Sequence, residues 1–490
     1  MHLQPNGKCY IIIRILPIKE HIMDRPSEIT KRIKCGSCEV VGLGRSNFAL
    51  IDYLLSVGAG RIVARDKVTP PVQTVERYSA RGVVFQCGEH YLDGIGSADS
   101  VIFRTPVIRP DIEAFTNAIR LGAILTSEIE LFMLVCPCPI VGVTGSDGKT
   151  TTTTIIHKLL SECGTAFIGG NIGVSPFVSF EKMKKADICV LELSSFQLQE
   201  ITTAPDIAVL TNISPNHLNW HIDLDEYATA KSRIYGNGCK RLVVNADNAA
   251  SLELLKSHPT SAEPVVFSME KCYEELKELA PDAKAYLYLQ DGSITVHTDR
   301  EFPILAKTDI KLAGAHNVAN YMAAIGATLG MVSREAVCKT AVQFGGVEHR
   351  LELFRELDGV KYYNSSIDTS PSRTIAALSA FSIKPIIICG GSDKHISFEP
   401  LALELCKRAK AIVLTGQTAP AILAALKACP ALDDELVIVT EGNFKSAVLA
   451  ASRIAVSGDV VLLSPACASF DAFKDFEARG RAFKEIINSL

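Results

Sequence analysis

Across its 490 residues the chain has no uninterrupted apolar stretch approaching the roughly 18 residues that cross a bilayer. The longest N-terminal candidate, Tyr10 to Leu16, is short and carries Arg14, which excludes a membrane-spanning protein. No small-residue cleavage site separates that run from the charged segment Lys19 to Arg25, so it does not read as a signal peptide. An excess of positive charge is also missing. With 50 Lys+Arg against 54 Asp+Glu, the net charge of −4 gives counterion release on nucleic acid little to work with, and small-molecule partners are expected instead. The chain has no tandem repeat and no low-complexity tract. Cys35-x-x-Cys38 has no second pair nearby, so two structural thiols are the better reading than a zinc or redox site. The 15 cysteines, an odd number scattered among apolar neighbours as at Cys189, Cys389 and Cys467, suit a reducing, cytoplasmic setting.

What is present is an ordinary globular composition, 48% hydrophobic and 21% charged, at a length that exceeds one core. The pattern predicts an α/β protein of three domains: a Rossmann-like N-terminal domain at 23–136, a central P-loop ATPase-type domain at 137–346, and a Rossmann-like C-terminal domain at 347–490. Residues 1–22 read as an appendage, with Met23 an alternative start followed by a helix opening at Asp24-Arg25-Pro26-Ser27-Glu28. Strands at Glu39–Val41, Arg61–Ala64, Val83–Phe85 and Ser100–Phe103, with a helix from Ser46 to Val57, describe an open, mostly parallel sheet. The third glycine expected after Gly42-x-Gly44 falls at Asn47, which favours a phosphate-bearing ligand other than NAD or FAD. Pro137-x-Pro139 breaks the chain before a new strand, Ile140–Val143. Further on, Ala285–Leu289 and Ser293–His297 read as a hairpin turning at Gln290-Asp291-Gly292. Strands at Pro385–Cys389, Ala411–Leu414, Glu435–Val439 and Val460–Leu463 restore the alternation after Glu348-His349-Arg350.

The strongest chemical signal is Thr144-Gly145-Ser146-Asp147-Gly148-Lys149-Thr150-Thr151-Thr152, between an apolar strand and a helix. Backbone N–H groups of such a loop wrap a polyphosphate, the lysine meets the β and γ oxygens, and the next hydroxyl reaches Mg²⁺. A strict pattern needs glycine at 143, where this chain has valine, so Gly145 makes it a variant. Three further clusters follow strands: Gly169-Gly170-Asn171, Glu192-Leu193-Ser194-Ser195-Phe196-Gln197, and Asn212-Ile213-Ser214-Pro215-Asn216-His217. Glu192 and His217 thus stand where open α/β sheets bind ligands, though each alone also reads as a strand-end polar residue. Lys231, on a helix among small residues, reads from the sequence as a solvated charge.

Together these motifs resemble the Mur ligases, ATP-dependent amide-forming enzymes of peptidoglycan synthesis, from about Met23 to Leu490. The segment Leu463 to Gly480 is similar to the branch that adds D-glutamate to UDP-N-acetylmuramoyl-L-alanine. The resemblance implies ATP and two Mg²⁺ ions, three substrates and a monomer. Gly145, Ser146, Asp147, Gly148, Lys149, Thr150, Thr151 and Asn171 would hold the ATP phosphates, Asn317 and Asn320 the adenine, and Arg350 would bridge to the nucleotide. Thr150 and Glu192 would serve the first Mg²⁺ and His217 the second, with Lys231 carbamylated by CO₂ into a carboxylate-like group of the metal site. Leu43, Gly44, Arg45, Ser46, Asp66, Thr105, Ser194 and Gln197 would meet the UDP substrate. Thr369, Lys394, Ser469 and Phe476 would meet D-glutamate.

Three departures from the family pattern stand out. Ser365-Ser366 follows Asn364 where the family usually has Asp-Ser, with Asp368 the carboxylate available to substitute, and Ile367 replaces a lysine. Arg104-Thr105-Pro106-Val107 replaces a Pro-Gly turn beside the UDP diphosphate, with Val107 in place of the glycine. The rival readings are a sister ligase or folylpolyglutamate synthase, an NAD-dependent oxidoreductase built on Gly42-x-Gly44, and a nucleotide-binding homologue weakened at Ser365.

Overall fold

The computed structural model describes residues 25–217, 220–312, 314–393 and 396–490; it does not describe the side chain of Arg45. The expected appendage at 1–22, the start at Met23 and the expected ligand Lys394 lie outside the described residues. The chain forms three sheets, with parallel pairing dominating each.

The first sheet joins β1 (Ser37–Val41), β2 (Arg61–Asp66), β3 (Val84–Cys87), β4 (Ser100–Arg104) and β5 (Ile124–Thr126) in the order β3-β2-β1-β4-β5, all parallel. Helices on its faces explain why β4 is buried at all five residues and reads as a continuous apolar run. Phe115 and Ala118 of the helix Glu113–Arg120 pack on Ile95, Ile102 and Leu125.

The second sheet has nine strands: β6 (Ile140–Thr144), β7 (Ala166–Gly170), β8 (Ile188–Glu192), β9 (Ile207–Leu210), β10 (Arg241–Asn245), β11 (Glu263–Phe267), β12 (Ala285–Gln290), β13 (Ser293–His297) and β14 (Glu301–Ala306). Their order is β14-β13-β12-β11-β10-β9-β6-β8-β7. β6 therefore lies between β8 and β9, so three strand ends converge at one edge. The helices Lys149–Ser161 and His316–Thr328 supply Ile155, Leu159, Tyr321 and Ile325 to the core over this sheet.

The third sheet orders β15 (Glu352–Leu357), β16 (Val360–Asn364), β17 (Ile386–Cys389), β18 (Ala411–Leu414), β19 (Val437–Thr440) and β20 (Val460–Leu463) as β15-β16-β20-β17-β18-β19. Only β15 runs antiparallel there. Separate apolar clusters around Leu401 and Val448 cover its two faces.

Two compact units emerge from this arrangement. One contains the described residues up to Cys138 with Gly169–Lys184 and Ser194–Ala204; the other contains Pro139–Ile168, Lys185–Leu193 and Pro205–Leu490. Among the described residues no helix is long and apolar enough to cross a membrane.

The predicted hairpin forms, with Asp291 and Gly292 both at positive φ as a tight turn between twisted strands requires. The sequence pattern did not show its third strand β14, the interior strands β10 and β11, the edge strands β5 and β7, or the β15–β16 hairpin. β15, Glu-Leu-Phe-Arg-Glu-Leu, is too charged to look like a buried strand, yet Asp358-Gly359 marks its turn with φ values of 51° and 77°.

Candidate active site

β6 ends at Thr144 and the helix Lys149–Ser161 begins at Lys149, which leaves four residues to make the loop between them. Gly145 has φ 148° and Gly148 has φ 77°. A methyl group at Gly148 would come within 2.4 Å of Asn320 Oδ1, and one at Gly145 within 1.9 Å of Thr211 Oγ1, so glycine is required at both for backbone shape and for space. The loop is fastened from outside itself. Ser146 N donates to Asn212 O at 2.9 Å, Asp147 N to Asn212 Oδ1 at 3.0 Å, and Thr211 Oγ1 to Asp147 O at 2.6 Å. Ser146 Oγ donates to Ser214 O at 2.9 Å and stands 2.8 Å from the Tyr227 hydroxyl. No side chain caps this 13-residue helix, which leaves its first N–H groups and dipole to an anion. Lys149 Nζ folds over the loop, donating to Gly145 O and Ser146 O, each at 2.9 Å.

Glu192 closes the adjacent strand β8 and is only 2% exposed. Lys231 is 1% exposed, which overturns the expectation of a solvated charge: the small residues around it let the helix Leu224–Ser232 lie close to the loop. Its Nζ donates to Gly145 O at 2.8 Å and Thr144 Oγ1 at 3.2 Å, and lies 4.7 Å from the centre of the Tyr227 ring. Burial, and then the charge of Lys149, drive the Lys231 ammonium well below its ordinary value, with Asp147 and Glu192 opposing. Burial lowers Lys149 as well, against the pull of Glu192 and Asp147. His217, exposed and at φ 55°, has its imidazole lowered by partial burial and by the charges of Lys149 and Lys231. The structure thus brings Lys149, Glu192, His217 and Lys231, dispersed over 83 positions of sequence from 149 to 231, into one electrostatic centre.

Beside the loop a cavity of about 460 Å³ is lined by Asp147, Gly148, Thr151, Asn317, Asn320 and Arg350 among the expected residues. Asn320 Nδ2 donates to Asn317 Oδ1 at 2.9 Å, Thr152 Oγ1 donates to Asn320 Oδ1 at 3.2 Å, and Arg350 Nη1 donates to Thr150 Oγ1 at 3.2 Å. Ser365 and Asp368 also line it, so a carboxylate does face this cavity from the segment where Ser365 stands. Burial pushes Asp368 up to about 6, against hydrogen bonds from Ser365 and Ser464.

The other compact unit holds a second, smaller cavity of about 60 Å³ lined by Gly44, Ser46, Thr105 and Gln197. Leu43 N donates to Asp66 Oδ2 at its edge, and Ser194 and Gln197 form a capping box. Asn171 belongs to this same unit. Thr105 packs on Gly42, where a Cβ would come within 2.4 Å of Thr105 Cγ2. The Arg104 side chain is buried, pairing with Glu200 at 2.9 Å and donating to carbonyls of Thr105, Pro106 and Ile108, so it ties down the turn that departs from the family pattern. Val107 projects outward, 73% exposed.

Glu128 lines this second cavity and was not singled out from sequence, where it reads as an ordinary first-turn acid of the helix Glu128–Val135. Burial pushes its carboxyl up to about 7, against the hydrogen bond that Ser175 donates. Because the folded value lies above the ordinary 4.5, its favourable contribution is complete below pH 4.5 and disappears as pH rises through 7. Glu128→Gln keeps the acceptor for Ser175 and removes the titration, so relative to wild type it should gain roughly 2–3 kcal/mol between pH 5 and 8.5 in denaturant melts. Parallel pH curves for the two proteins would contradict this environment for Glu128.

Thr369 follows β16, Ser469 follows β20, and Phe476 begins the helix Phe476–Asn488. Ser366 Oγ donates to Phe476 O at 2.8 Å, and the Phe476 ring stands edge-on to His349 at 6.0 Å. Ser469 is buried and its carbonyl accepts from Phe473 N at 2.8 Å.

Two family models match the chain, the Mur ligase middle domain at residues 143–328 and the Mur ligase glutamate ligase domain at residues 349–467. The chain is 43% identical over 471 residues to UDP-N-acetylmuramoylalanine–D-glutamate ligase of Clostridium acetobutylicum, covering 95% of this chain and 99% of that protein. It is 42% identical to the enzyme of the same name from Acetivibrio thermocellus, covering 95% and 98%. Among solved structures, UDP-N-acetylmuramate–alanine ligase from Thermotoga maritima shares the fold at a TM-score of 0.53 and 18% identity, over 92% of this chain and 99% of that one. With near-full-length relatives at such identity, and the phosphate loop, buried lysine and strand-end carboxylate in one centre, the chain belongs to the Mur ligase family.

Proposed function

We propose that the chain is an ATP-dependent ligase that joins D-glutamate to UDP-N-acetylmuramoyl-L-alanine, as a cytoplasmic monomer with domains at 23–136, 137–346 and 347–490. The observation that carries the reading is the likeness to D-glutamate-adding ligases over nearly the whole of both chains. An unactivated carboxylate is a poor electrophile, so an oxygen of the L-alanine carboxylate attacks the γ-phosphorus, ADP leaves, and an acyl phosphate forms. The D-glutamate amine then attacks the acyl carbon, expelling phosphate and releasing a proton as the amide forms. Most of the catalytic work in the first step is positioning and charge neutralisation.

On this reading the N–H groups of residues 145–151 and Lys149 hold the phosphates, with Asn171 assisting. Asn317, Asn320 and Arg350 hold the nucleoside end. Leu43, Gly44, Arg45, Ser46, Asp66, Thr105, Ser194 and Gln197 serve the UDP substrate, and Thr369, Lys394, Ser469 and Phe476 serve D-glutamate. The Glu192 carboxylate and the Thr150 hydroxyl are the hard oxygen donors Mg²⁺ prefers, and they would hold one ion, with His217 and a carbamylated Lys231 on a second. Bound there, Mg²⁺ supplies neutralisation of the polyphosphate charge. Carbamylation requires a neutral amine, and the buried, cation-facing position of Lys231 favours that form.

The test is phosphate release from ATP with UDP-N-acetylmuramoyl-L-alanine, offering D-glutamate, L-glutamate, L-alanine or diaminopimelate. Release with D-glutamate alone is the expected result and would show that Ser365 is tolerated. Release with another amino acid would reassign the branch, and silence with all four despite ATP binding would favour the weakened homologue.

A further inference from the structure

Arg479 is 2% exposed, three residues into the helix Phe476–Asn488 that closes the chain. Among the described residues no carboxylate forms an ion pair with it. Its Nε donates to Ser366 Oγ at 3.0 Å, its Nη2 to Ser366 O at 2.9 Å, and its Nη1 to Cys467 O and Ala468 O, both at 3.1 Å. Burial lowers the guanidinium to about 10, which leaves it cationic at neutral pH.

A buried cation hydrogen-bonded to carbonyls and a hydroxyl, with Asp471 and Asp368 acting on it only through space, is a costly structural fastener, since a neutral donor would bridge the same oxygens with a smaller desolvation cost. Its position explains the expense. The Ser366 hydroxyl that receives Arg479 donates in turn to Phe476 O. Ala468 O also accepts from Ser392 N at 2.9 Å, and Gly391 lies so close that a Cβ there would stand 3.2 Å from Arg479 Nη1. The turn at Ala466 takes a left-handed φ of 60°, uncommon for a residue with a side chain. One planar fork therefore ties together the segments that carry Thr369, Ser469 and Phe476.

We propose that Arg479 is the positioning residue of the acidic amino-acid subsite: its fork fixes the Ser366 and Cys467–Ala468 turns, and its buried charge biases that subsite toward a dicarboxylate. The inference rests on the D-glutamate reading above. Lysine cannot reproduce it, because a point charge on a flexible stem does not reach three carbonyls and a hydroxyl in one plane.

The experiment measures steady-state phosphate release by wild type, Arg479→Lys and Arg479→Gln, varying D-glutamate, D-glutamine, ATP and the UDP substrate in turn, with thermal melts alongside. In Arg479→Gln the KM for D-glutamate should rise about 10- to 100-fold while those for ATP and the UDP substrate stay within about twofold, and the preference for D-glutamate over D-glutamine should fall. Arg479→Lys should keep most of that preference and lose affinity. A D-glutamate KM unchanged in a folded Arg479→Gln variant overturns the proposal, as does an equal rise in all three KM values, which marks a structural role. If the glutamine variant does not fold, an unchanged D-glutamate KM in Arg479→Lys overturns it. Failure of the substrate reading is seen separately, as a wild type that releases no phosphate with D-glutamate.

Discussion

Lys149→Ala should lower ATP-dependent phosphate release by about 10³-fold or more, with the protein still folded. The loop keeps its shape without this side chain, because Asn212, Thr211, Ser214 and Tyr227 hold Ser146 and Asp147 from outside. What is lost is one cation at the uncapped N-terminus of the helix Lys149–Ser161, where the phosphates would lie. The ammonium rests on two carbonyls of its own loop, bonds that on the proposed reading it would exchange for phosphate oxygens. A thousandfold loss corresponds to about 4 kcal/mol of transition-state stabilisation, within reach of one charge in a dry, preorganised site. Lys149→Arg should not restore the rate, since a planar fork does not fit a loop pinned by Gly145 and Gly148. Phosphate release by the purified variants decides the matter; full activity in Lys149→Ala would refute the phosphate-loop assignment.

The same loop shows why part of this site was legible. Strand, glycines, lysine and hydroxyls lie within nine consecutive residues, 144–152, so local chemistry alone forces the reading. Strands with apolar, buried sequences were legible at β4, β6, β8 and β20, whereas β10 and β11, also apolar and largely buried, were missed. β15 escaped because its edge position tolerates Glu352, Arg355 and Glu356. Lys231, Glu128 and Arg479 escaped for a common reason. A charged letter in a sequence carries no sign of burial, and what buries Lys231 comes from 86 and 87 positions earlier, at Gly145 and Thr144. Family likeness supplied a role for Lys231 where spacing could not, while Glu128 and Arg479 became visible only through their cavity and their hydrogen bonds.

Lys231→Ala should abolish turnover to about the same degree as Lys149→Ala, for a different physical reason. An amine buried beside Lys149 gains nothing as a second cation: its hydrogen bonds go to Gly145 O and Thr144 Oγ1, and its ammonium form is disfavoured by both desolvation and like charge. Burial and the neighbouring cation favour the neutral amine, the form that attacks CO₂, forming an N–C bond and releasing one proton, and the product carries a negative charge where a positive one was unfavourable. The loss in Lys231→Ala should therefore be partly restored by millimolar acetate or formate, which can enter the space of the missing carbamate, while ammonium or methylamine should restore nothing. Lys149→Ala should respond to neither anion. Incubation with ¹³C-bicarbonate should give a carbamate carbon resonance in wild type that is absent from Lys231→Ala. If amines rescue and carboxylates do not, or if the resonance survives the substitution, Lys231 acts as a cation and the carbamate reading is wrong.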